Sequence, residues 1–307
     1  MPPPDISIII VSWNVRERLR ACLRSLPEPG SGVETIVVDA ASVDGTPEMV
    51  RAEFPAVRLI ARSDNVGYSR GNNLGLAEAR GRFAFILNPD TELDDQTLPV
   101  MTAYLDANPR VGVLGPRLVL ADQSVQASRR RFPTLTTALF ESTWLAGLAP
   151  RRVLADYYVA DRPDDEPAEV DWLVGAALMV RRAVWEQVGV LDEGFFMYSE
   201  ELDWQRRIKA AGWQVVYLPA AQVRHFEAQS SAQVPAATHI RFNTSKVRYF
   251  RKYHGAPAGE FLRWYLLSQF AFQLALEWLK GALGHKRALR QARVAAYWAV
   301  LRSGLRG

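Results

Sequence analysis

Four places in the chain combine residue types and positions that chemistry requires. Asn88-Pro89-Asp90 follows directly on Phe83-Ala84-Phe85-Ile86-Leu87, an apolar run that reads as a core strand with an abruptly polar end. Ligands of open α/β sheets bind at the carboxyl ends of strands, so a carboxylate at Asp90 could hold a hard divalent cation that bridges phosphates. A plain β-turn, with Pro89 setting φ and Asp90 bonding its own backbone, is the competing account. Asp39 ends a second such run, Glu34-Thr35-Ile36-Val37-Val38-Asp39, where it can accept a hydrogen bond from a base or a ribose. Gly45 and Thr46 behind it supply a tight turn and a helix cap, and capping alone would also explain them. Glu200, Glu201 and Asp203 sit together at a helix start, which the helix dipole favours by itself. The preceding Gly194-Phe195-Phe196-Met197-Tyr198 is too aromatic for an ordinary exposed loop, and a carboxylate beside aromatics can be raised in pKa enough to act as a general base. His225, read alone, is more often structural than a ligand; paired in space with Asp90 it would complete a metal site.

A fifth segment, Asp64-Asn65-Val66-Gly67-Tyr68-Ser69-Arg70-Gly71-Asn72-Asn73-Leu74-Gly75, is dense in Gly and Asn. Its glycines would let backbone approach a phosphate or sugar, and the helix start after it favours anions. It fits neither Gly-x-x-x-x-Gly-Lys-Ser/Thr nor Gly-x-Gly-x-x-Gly, which argues against a nicotinamide dehydrogenase.

The elements that must position these groups follow from hydrophobic patterning. Residues 6–12 and 34–39 read as buried parallel strands, 57–60 as a short third and 83–87 as a fourth. Helices are expected near 16–26 (ended by Pro27 and Pro29), 46–53 and 69–80, so strands and helices alternate as βαβ units. Farther on, 111–120 reads as paired short strands around Gly115-Pro116, 161–171 as an acidic loop and 172–180 as a strand. A helix over 200–211, a last strand over 213–218 and helices from His239 onward complete the expectation.

Composition bounds the rest. A chain of 307 residues that is 49% hydrophobic and 23% charged is an ordinary globular protein, large enough for one large core or two modest ones. The single cysteine, Cys22, excludes an internal disulfide and suits a reducing compartment. Met1-Pro2-Pro3-Pro4-Asp5 has neither a basic region nor an apolar one of the kind that makes a leader, so a cytoplasmic protein is expected. The net charge of +4 is uneven: residues 241–307 hold 13 Lys and Arg against 2 acids, the first 240 hold 24 against 31. A basic tail on an acidic body expects an anionic neighbour. Nucleic acid is a poor candidate, because the tail's aromatics are embedded in a nearly continuous apolar surface.

Taken in order, these segments resemble glycosyltransferase family 2, inverting enzymes of GT-A fold that use nucleotide sugars. The resemblance covers about residues 5–255 and rests on Ile8 to Asn14, Ile36 to Asp39 with Ser42 to Thr46, and Asn65 to Tyr68 with Asn72 and Gly75. It continues through Leu87 to Thr91, Gly175-Ala176, Leu191 to Phe196, Glu200 to Asp203, and His225. Gln126 to Thr134 is similar to a segment of the bacterial rhamnosyltransferase-like subgroup that builds surface polysaccharides. The resemblance implies a mostly parallel central sheet with helices on both faces, in a catalytic domain over 1–240 with a donor half to about 120 and an acceptor half beyond it. A basic, apolar helical tail over 241–307 follows. It implies transfer of a sugar such as rhamnose, with inversion, from a dTDP-, UDP- or GDP-linked donor to a glycan or polyprenyl-linked acceptor, assisted by Mg2+ or Mn2+. Carried over position by position, Asp90 and His225 would bind the metal, and Glu201 would be the base with Asp203 as its rival. Ser12, Asn14, Asp39, Asp44, Asn65, Gly67, Asn72 and Asn88 would bind the donor, and Arg129, Arg130 and Glu200 would meet the acceptor. Two departures stand out. Ala40 replaces the Asn usual after the base-binding Asp, and Glu201 replaces an Asp. An inactive GT-A-like scaffold that binds nucleotide sugars is the alternative of a different class. A nucleotidyltransferase is disfavoured because Ser12-Trp13-Asn14-Val15-Arg16, after the first strand, has no glycine.

Residues 261–279 are 14 apolar of 19, yet only 13 uncharged residues separate Arg263 from Glu277, too few for a span of roughly 18. Gln269, Gln273, Glu277 and Lys280 recur at helical spacing as one polar stripe. That pattern expects a helix lying in a membrane interface, at the inner face of the plasma membrane, with Lys286, Arg287, Arg290 and Arg293 near anionic lipid. Packing of these helices on the body, or on a second subunit of a homo-oligomer, is the competing account.

Overall fold

The computed structural model describes residues 3–28, 30–226 and 233–306. Met1 and Pro2, part of the opening read as lacking a leader, and Pro29, expected to help end the first helix, lie outside the described residues. The described chain divides into two compact units, one formed by Met1–Phe132, Tyr158–Phe196 and Glu200–Ser230, the other by Pro133–Tyr157, Met197–Ser199 and Ser231–Gly307.

The first unit opens with β1 (Ile6–Ser12), α1 (Arg16–Arg24), β2 (Val33–Asp39), α2 (Thr46–Glu53), β3 (Arg58–Ala61), α3 (Gly67–Glu78) and β4 (Phe83–Leu87). Then come β5 (Thr91–Leu93), α4 (Thr97–Ala107), β6 (Val111–Val119) and β7 (Arg129–Arg130). The chain then supplies the second unit with α5 (Leu135–Phe140), a 3-10 turn over Trp144–Leu148 and α6 (Arg151–Tyr157). It returns to the first unit for β8 (Ala168–Val170), β9 (Trp172–Leu173), β10 (Ala177–Arg181), α7 (Arg182–Val188), α8 (Glu200–Ala210) and β11 (Gln214–His225). Helices α9 (Pro235–His254), α10 (Ala256–Ala282) and α11 (Arg287–Ser303) complete the second unit.

The sheet of the first unit runs β3-β2-β1-β4-β10-β6-β11-β5, with β8 also on β11. Strands β1, β2, β3, β4, β6 and β11 point one way and β5, β8 and β10 the other, so the sheet is mostly parallel. Because side chains alternate across a strand, each strand feeds two cores. Ile8, Ile10, Phe83, Phe85 and Leu87 pack with α1, α2 and α4 on one face. Ile9, Ala84 and Ile86 pack on the other with Leu76 of α3, Val184 and Trp185 of α7, and Trp204 and Ile208 of α8. Gly71 and Gly75 serve this second layer: a methyl there would lie 2.8 Å from Val11 and 2.3 Å from Ile9, so they let α3 lie close on β1.

Four sequence expectations need correction. Residues 111–119 form one strand, because Pro116 falls where β11 shifts register between Leu218 and Gln222, a bulge that tolerates the missing N–H. The expected loop over 161–171 contains β8, since Ala168 and Val170 are buried on either side of exposed Glu169 and pair with β11. The expected strand over 172–180 is two, β9 and β10, broken at Val174–Ala176. The last strand also runs past the expected Leu218 to His225.

In the second unit, α10 packs against α9, α11 and α5. Lys246 holds Glu141 through its backbone oxygen at 2.8 Å and its carboxylate at 3.1 Å, and Tyr265 donates to the Leu139 carbonyl at 2.6 Å. Of the stripe formed by Gln269, Gln273, Glu277 and Lys280, no member is exposed. Glu277 is buried, with Arg290 of α11 donating to both its oxygens at 2.7 and 2.5 Å. A carboxylate that meets arginines on the next helix turns inward, and apolar side chains take the outer face. Among the described residues no helix is long and apolar enough to cross a membrane.

Candidate active site

The parallel register sets Ser12 beside Asp39 and Ile10 beside Leu87, so the carboxyl ends of β1, β2 and β4 share one edge. One Asp39 oxygen accepts from the Ser42 amide at 2.9 Å; the other, buried, has no hydrogen-bond partner, and neither has the Ser12 hydroxyl. Burial pushes the Asp39 carboxyl up, partly offset by its bond from Ser42. Buried acceptors left bare are costly, about 1–3 kcal/mol each, which makes this corner ready for donors from outside. Asn14 and Asp44 are committed to shaping it. Asn14, at φ 52°, donates its N–H to the Ser42 hydroxyl and accepts from the Val43 amide, both at 2.8 Å. Asp44 accepts from the Arg16 amide at 2.9 Å and from both the amide and hydroxyl of Thr46, at 3.1 and 2.6 Å. Asn65 accepts from the Gly67 amide at 3.1 Å, and Asn72, fully buried, donates to the Tyr68 carbonyl at 2.9 Å while its own oxygen stays bare.

After β4 the chain turns around Asn88. Its N–H donates to Ala176 at 2.9 Å, and its carbonyl accepts from the Thr91 hydroxyl at 2.7 Å and from the Cys22 thiol at 3.8 Å. Burial pushes that thiol up to about 12. The Asn88 side-chain oxygen accepts from the Tyr68 hydroxyl at 2.9 Å, so the amide shapes the turn. Asp90 then faces His225, with 3.4 Å between Oδ1 and Nε2, because β5 pairs with β11 and sets Thr91 opposite His225. His225 Nδ1 lies 2.9 Å from Gln126 Oε1, a contact that holds the ring with Nε2 on the side of Asp90. A ring nitrogen facing a carboxylate oxygen in this way is a donor pair suited to a metal ion. Among the described residues no three His, Cys, Asp or Glu side chains gather into a metal cage. One carboxylate and one imidazole fit an ion whose remaining positions belong to phosphate oxygens and water.

The acids of α8 separate by position. Gln205 bonds both backbone groups of Leu173 at 2.8 Å and so fastens α8 to β9. Glu200 and Glu201 each bury a carboxylate oxygen without a partner. Burial pushes both carboxyls up, that of Glu200 well up with help from the charge of Glu201. Backbone hydrogen bonds at Leu202 and Gly175 and the charge of Arg130 pull Glu201 back. Glu201 lies against Gly175, where a methyl would come within 3.3 Å of it. The Tyr68 hydroxyl is also 3.0 Å from the Gly175 carbonyl, so one side chain links the turn of Asp90 to the backbone under Glu201. Burial drives the Tyr68 phenol far up, with the charges of Glu200 and Glu201 adding to it, which keeps its proton in place as a donor. Gly67, at φ +78°, starts that helix against Phe196, whose carbonyl accepts from the Tyr68 amide at 2.8 Å.

Asp203 stands apart. It is fully buried and paired with Arg207 at 3.0 Å, and Arg207 in turn donates to Val188 and Val190, anchoring α8 to the end of α7. Arg129 is buried too: its guanidinium donates to the carbonyls of Pro163 and Arg162 at 2.8 and 3.2 Å and to the Asp164 carboxylate, and stacks over Tyr217. Three of its five donors bond within the fold. Arg130, over the Tyr158 ring at 4.4 Å, is the arginine whose field reaches Glu201. Tyr68 and Gln126 are the parts of this site that the residue types did not mark, although both lie in segments singled out for other reasons.

The family model described as "Glycosyl transferase family 2" matches residues 7–204. The chain belongs to glycosyltransferase family 2. This glycosyltransferase is 30% identical over 281 residues to the N-acetylglucosaminyl-diphospho-decaprenol L-rhamnosyltransferase of Mycobacterium tuberculosis, covering 87% of this chain and 91% of that one. It is 24% identical to rhamnosyltransferase WbbL of Escherichia coli K12 over 170 residues, 52% of this chain and 61% of that one. Among solved structures, mannosyltransferase PcManGT from Pyrobaculum calidifontis, in complex with GDP-Man and Mn2+, superposes with a TM-score of 0.58 at 20% identity. The match covers 99% of this chain and 85% of that one. The fold of this glycosyltransferase is GT-A.

Proposed function

We propose that this glycosyltransferase moves a deoxyhexose of the rhamnose class from a nucleoside diphosphate to a lipid-linked glycan, with inversion and with a divalent ion in place. The observation that carries the reading is the chain of contacts joining Asp90–His225 to Glu201 through Asn88, Tyr68 and Gly175. The rhamnosyltransferase and decaprenol-linked substrate in the name of the mycobacterial relative support the sugar and the acceptor class.

Asp39 and Ser12 would receive the donor's base and ribose on their bare buried oxygens. Asp90 and His225 would hold Mg2+ or Mn2+, which when bound neutralises charge on the departing diphosphate. Glu201, its carboxyl raised by burial, takes the proton of the acceptor hydroxyl as that oxygen attacks the anomeric carbon from the face opposite the diphosphate. A single displacement of this kind inverts the anomeric configuration. Asp203, neutralised by Arg207, positions α8. Arg130 would meet the acceptor, and a lipid-linked acceptor would bring the protein to the inner face of the plasma membrane.

The test is Glu201→Gln with a dTDP-, UDP- and GDP-sugar panel. Transfer should fall by about 10²–10⁴-fold, the usual size of general-base catalysis, while thermal stabilisation by donor and Mn2+ persists. In the native enzyme the rate should rise with pH through an inflection above the ordinary Glu value, because only the ionised carboxylate accepts a proton. Near-native turnover in Glu201→Gln would remove the base assignment, and no stabilisation by any nucleotide sugar would remove the functional reading.

A further inference from the structure

We propose that the α10–α11 hairpin of the second unit docks onto an anionic lipid surface through the outer face of α10. Phe261, Trp264, Phe272, Leu279 and Leu283 recur along that helix at intervals that keep them on one side, and all are exposed. Leu283, at the hairpin tip, is 77% exposed, and Trp278 one turn earlier is 63% exposed. The opposite side of the helix is closed. Leu266 and Phe270 are buried there, and Glu277 is locked by Arg290 and lies 3.6 Å from Arg293. The only acid in the second half of α10 is thus neutralised on the inside, and nothing negative is left on the outer face beyond Phe261.

Charge decides the occupant. Lys286 and Arg287 are exposed at the tip beside Leu283, within a tail that holds 13 basic residues against 2 acids. Apolar and tryptophan side chains that enter the acyl boundary while adjacent lysines and arginines meet phosphate headgroups are the recipe for an interfacial helix. A second copy of the chain would bring two such basic tips together, which like-charge repulsion opposes. No helix among the described residues is long and apolar enough to cross, so the helix lies along the surface. The inference rests on the lipid-linked acceptor reading for its setting, but binding to vesicles requires neither donor nor acceptor.

The experiment is co-sedimentation of the full chain with vesicles of phosphatidylcholine alone and of phosphatidylcholine with phosphatidylglycerol. Binding to the anionic vesicles should be at least tenfold tighter and should weaken with salt. Leu283→Glu, and separately the double change Lys286→Glu and Arg287→Glu, should each reduce it at least tenfold with unchanged circular dichroism. Equal binding to both vesicle types, or full retention of binding by Leu283→Glu, overturns the proposal. So does a native dimer in solution that Leu283→Glu converts to monomer. Donor hydrolysis, measured on the same samples, should be the same in Leu283→Glu as in the native chain. Its absence from the native chain would strike the functional reading while leaving the lipid result standing.

Discussion

Replacing Tyr68 by Phe tests the connection on which the mechanism depends. The change keeps the half-buried ring and deletes only the hydroxyl, which lies 2.9 Å from Asn88 Oδ1 and 3.0 Å from the Gly175 carbonyl. One proton serves both acceptors, so the loss is one bond together with incomplete satisfaction of two half-buried oxygens, about 1–3 kcal/mol. A core hydroxyl would spend all of this on stability. Here the same bond fixes the turn that carries Asp90 relative to the backbone that supports Glu201, so a similar quantity should appear in the barrier. Since about 1.4 kcal/mol is tenfold in rate, kcat/KM should fall by about ten- to a hundredfold. Tyr265→Phe is the matched control: it removes a hydroxyl that donates to the Leu139 carbonyl at 2.6 Å within the second unit. Both variants should lower the melting temperature, and only Tyr68→Phe should slow transfer at saturating donor. If the two lose stability alike and both keep the native rate, Tyr68 is a packing residue and the linkage is wrong.

Asp90→Asn keeps the shape of the turn but removes its charge; the Mn2+-dependent part of thermal stabilisation by a nucleoside diphosphate, about 2.7 kcal/mol at a hundredfold excess over Kd, should vanish while metal-independent stability persists. Glu200 holds its proton more tightly in the folded chain than in the unfolded one, so its contribution to stability falls as pH rises from the ordinary Glu value through the raised one. The denaturation midpoint of Glu200→Gln minus that of the native chain should therefore grow across that window, and a flat difference would refute the burial effect. Gly67→Ala must place a methyl 2.5 Å from the Phe196 carbonyl at a left-handed φ; a loss of more than about 1 kcal/mol is expected, and an unchanged melting temperature would mean that Phe196 moves freely.

The first half of the fold was legible because β1, β4 and the second half of β2 are buried on both faces. Ile6 to Ser12, Val33 to Asp39 and Phe83 to Leu87 are near-continuous apolar runs that stop at Asn, Asp or Pro, and α2 lies where its pattern set it. Beyond Thr91 that signal fails. Strand β6 carries a proline that only its bulged neighbour on β11 makes tolerable, and β8 is three residues long, visible only through its pairing with Val215 to Tyr217. The inward turn of Glu277 depends on Arg290, which reaches it from the next helix; periodicity along one helix carries no information about its partner. In the site, Asp90 and His225 lie 135 positions apart in sequence and meet only because β5 and β11 pair. The acids of α8 could be grouped by sequence, but not sorted: Asp203 differs from Glu201 by the arginine one helical turn beyond it.

The Cys22 thiol beneath the Asn88 carbonyl turns this enzyme into its own probe. It is the sole sulfhydryl in 307 residues, it is wholly buried, and burial holds it protonated, so a thiol reagent finds no nucleophile while the chain is closed. Any modification must therefore follow an excursion in which α1 parts from the Asn88–Thr91 segment. The rate of labelling counts those excursions at a single known place, without an introduced cysteine or dye. Clamping of the same segment by nucleotide and cation would register directly as a slower clock.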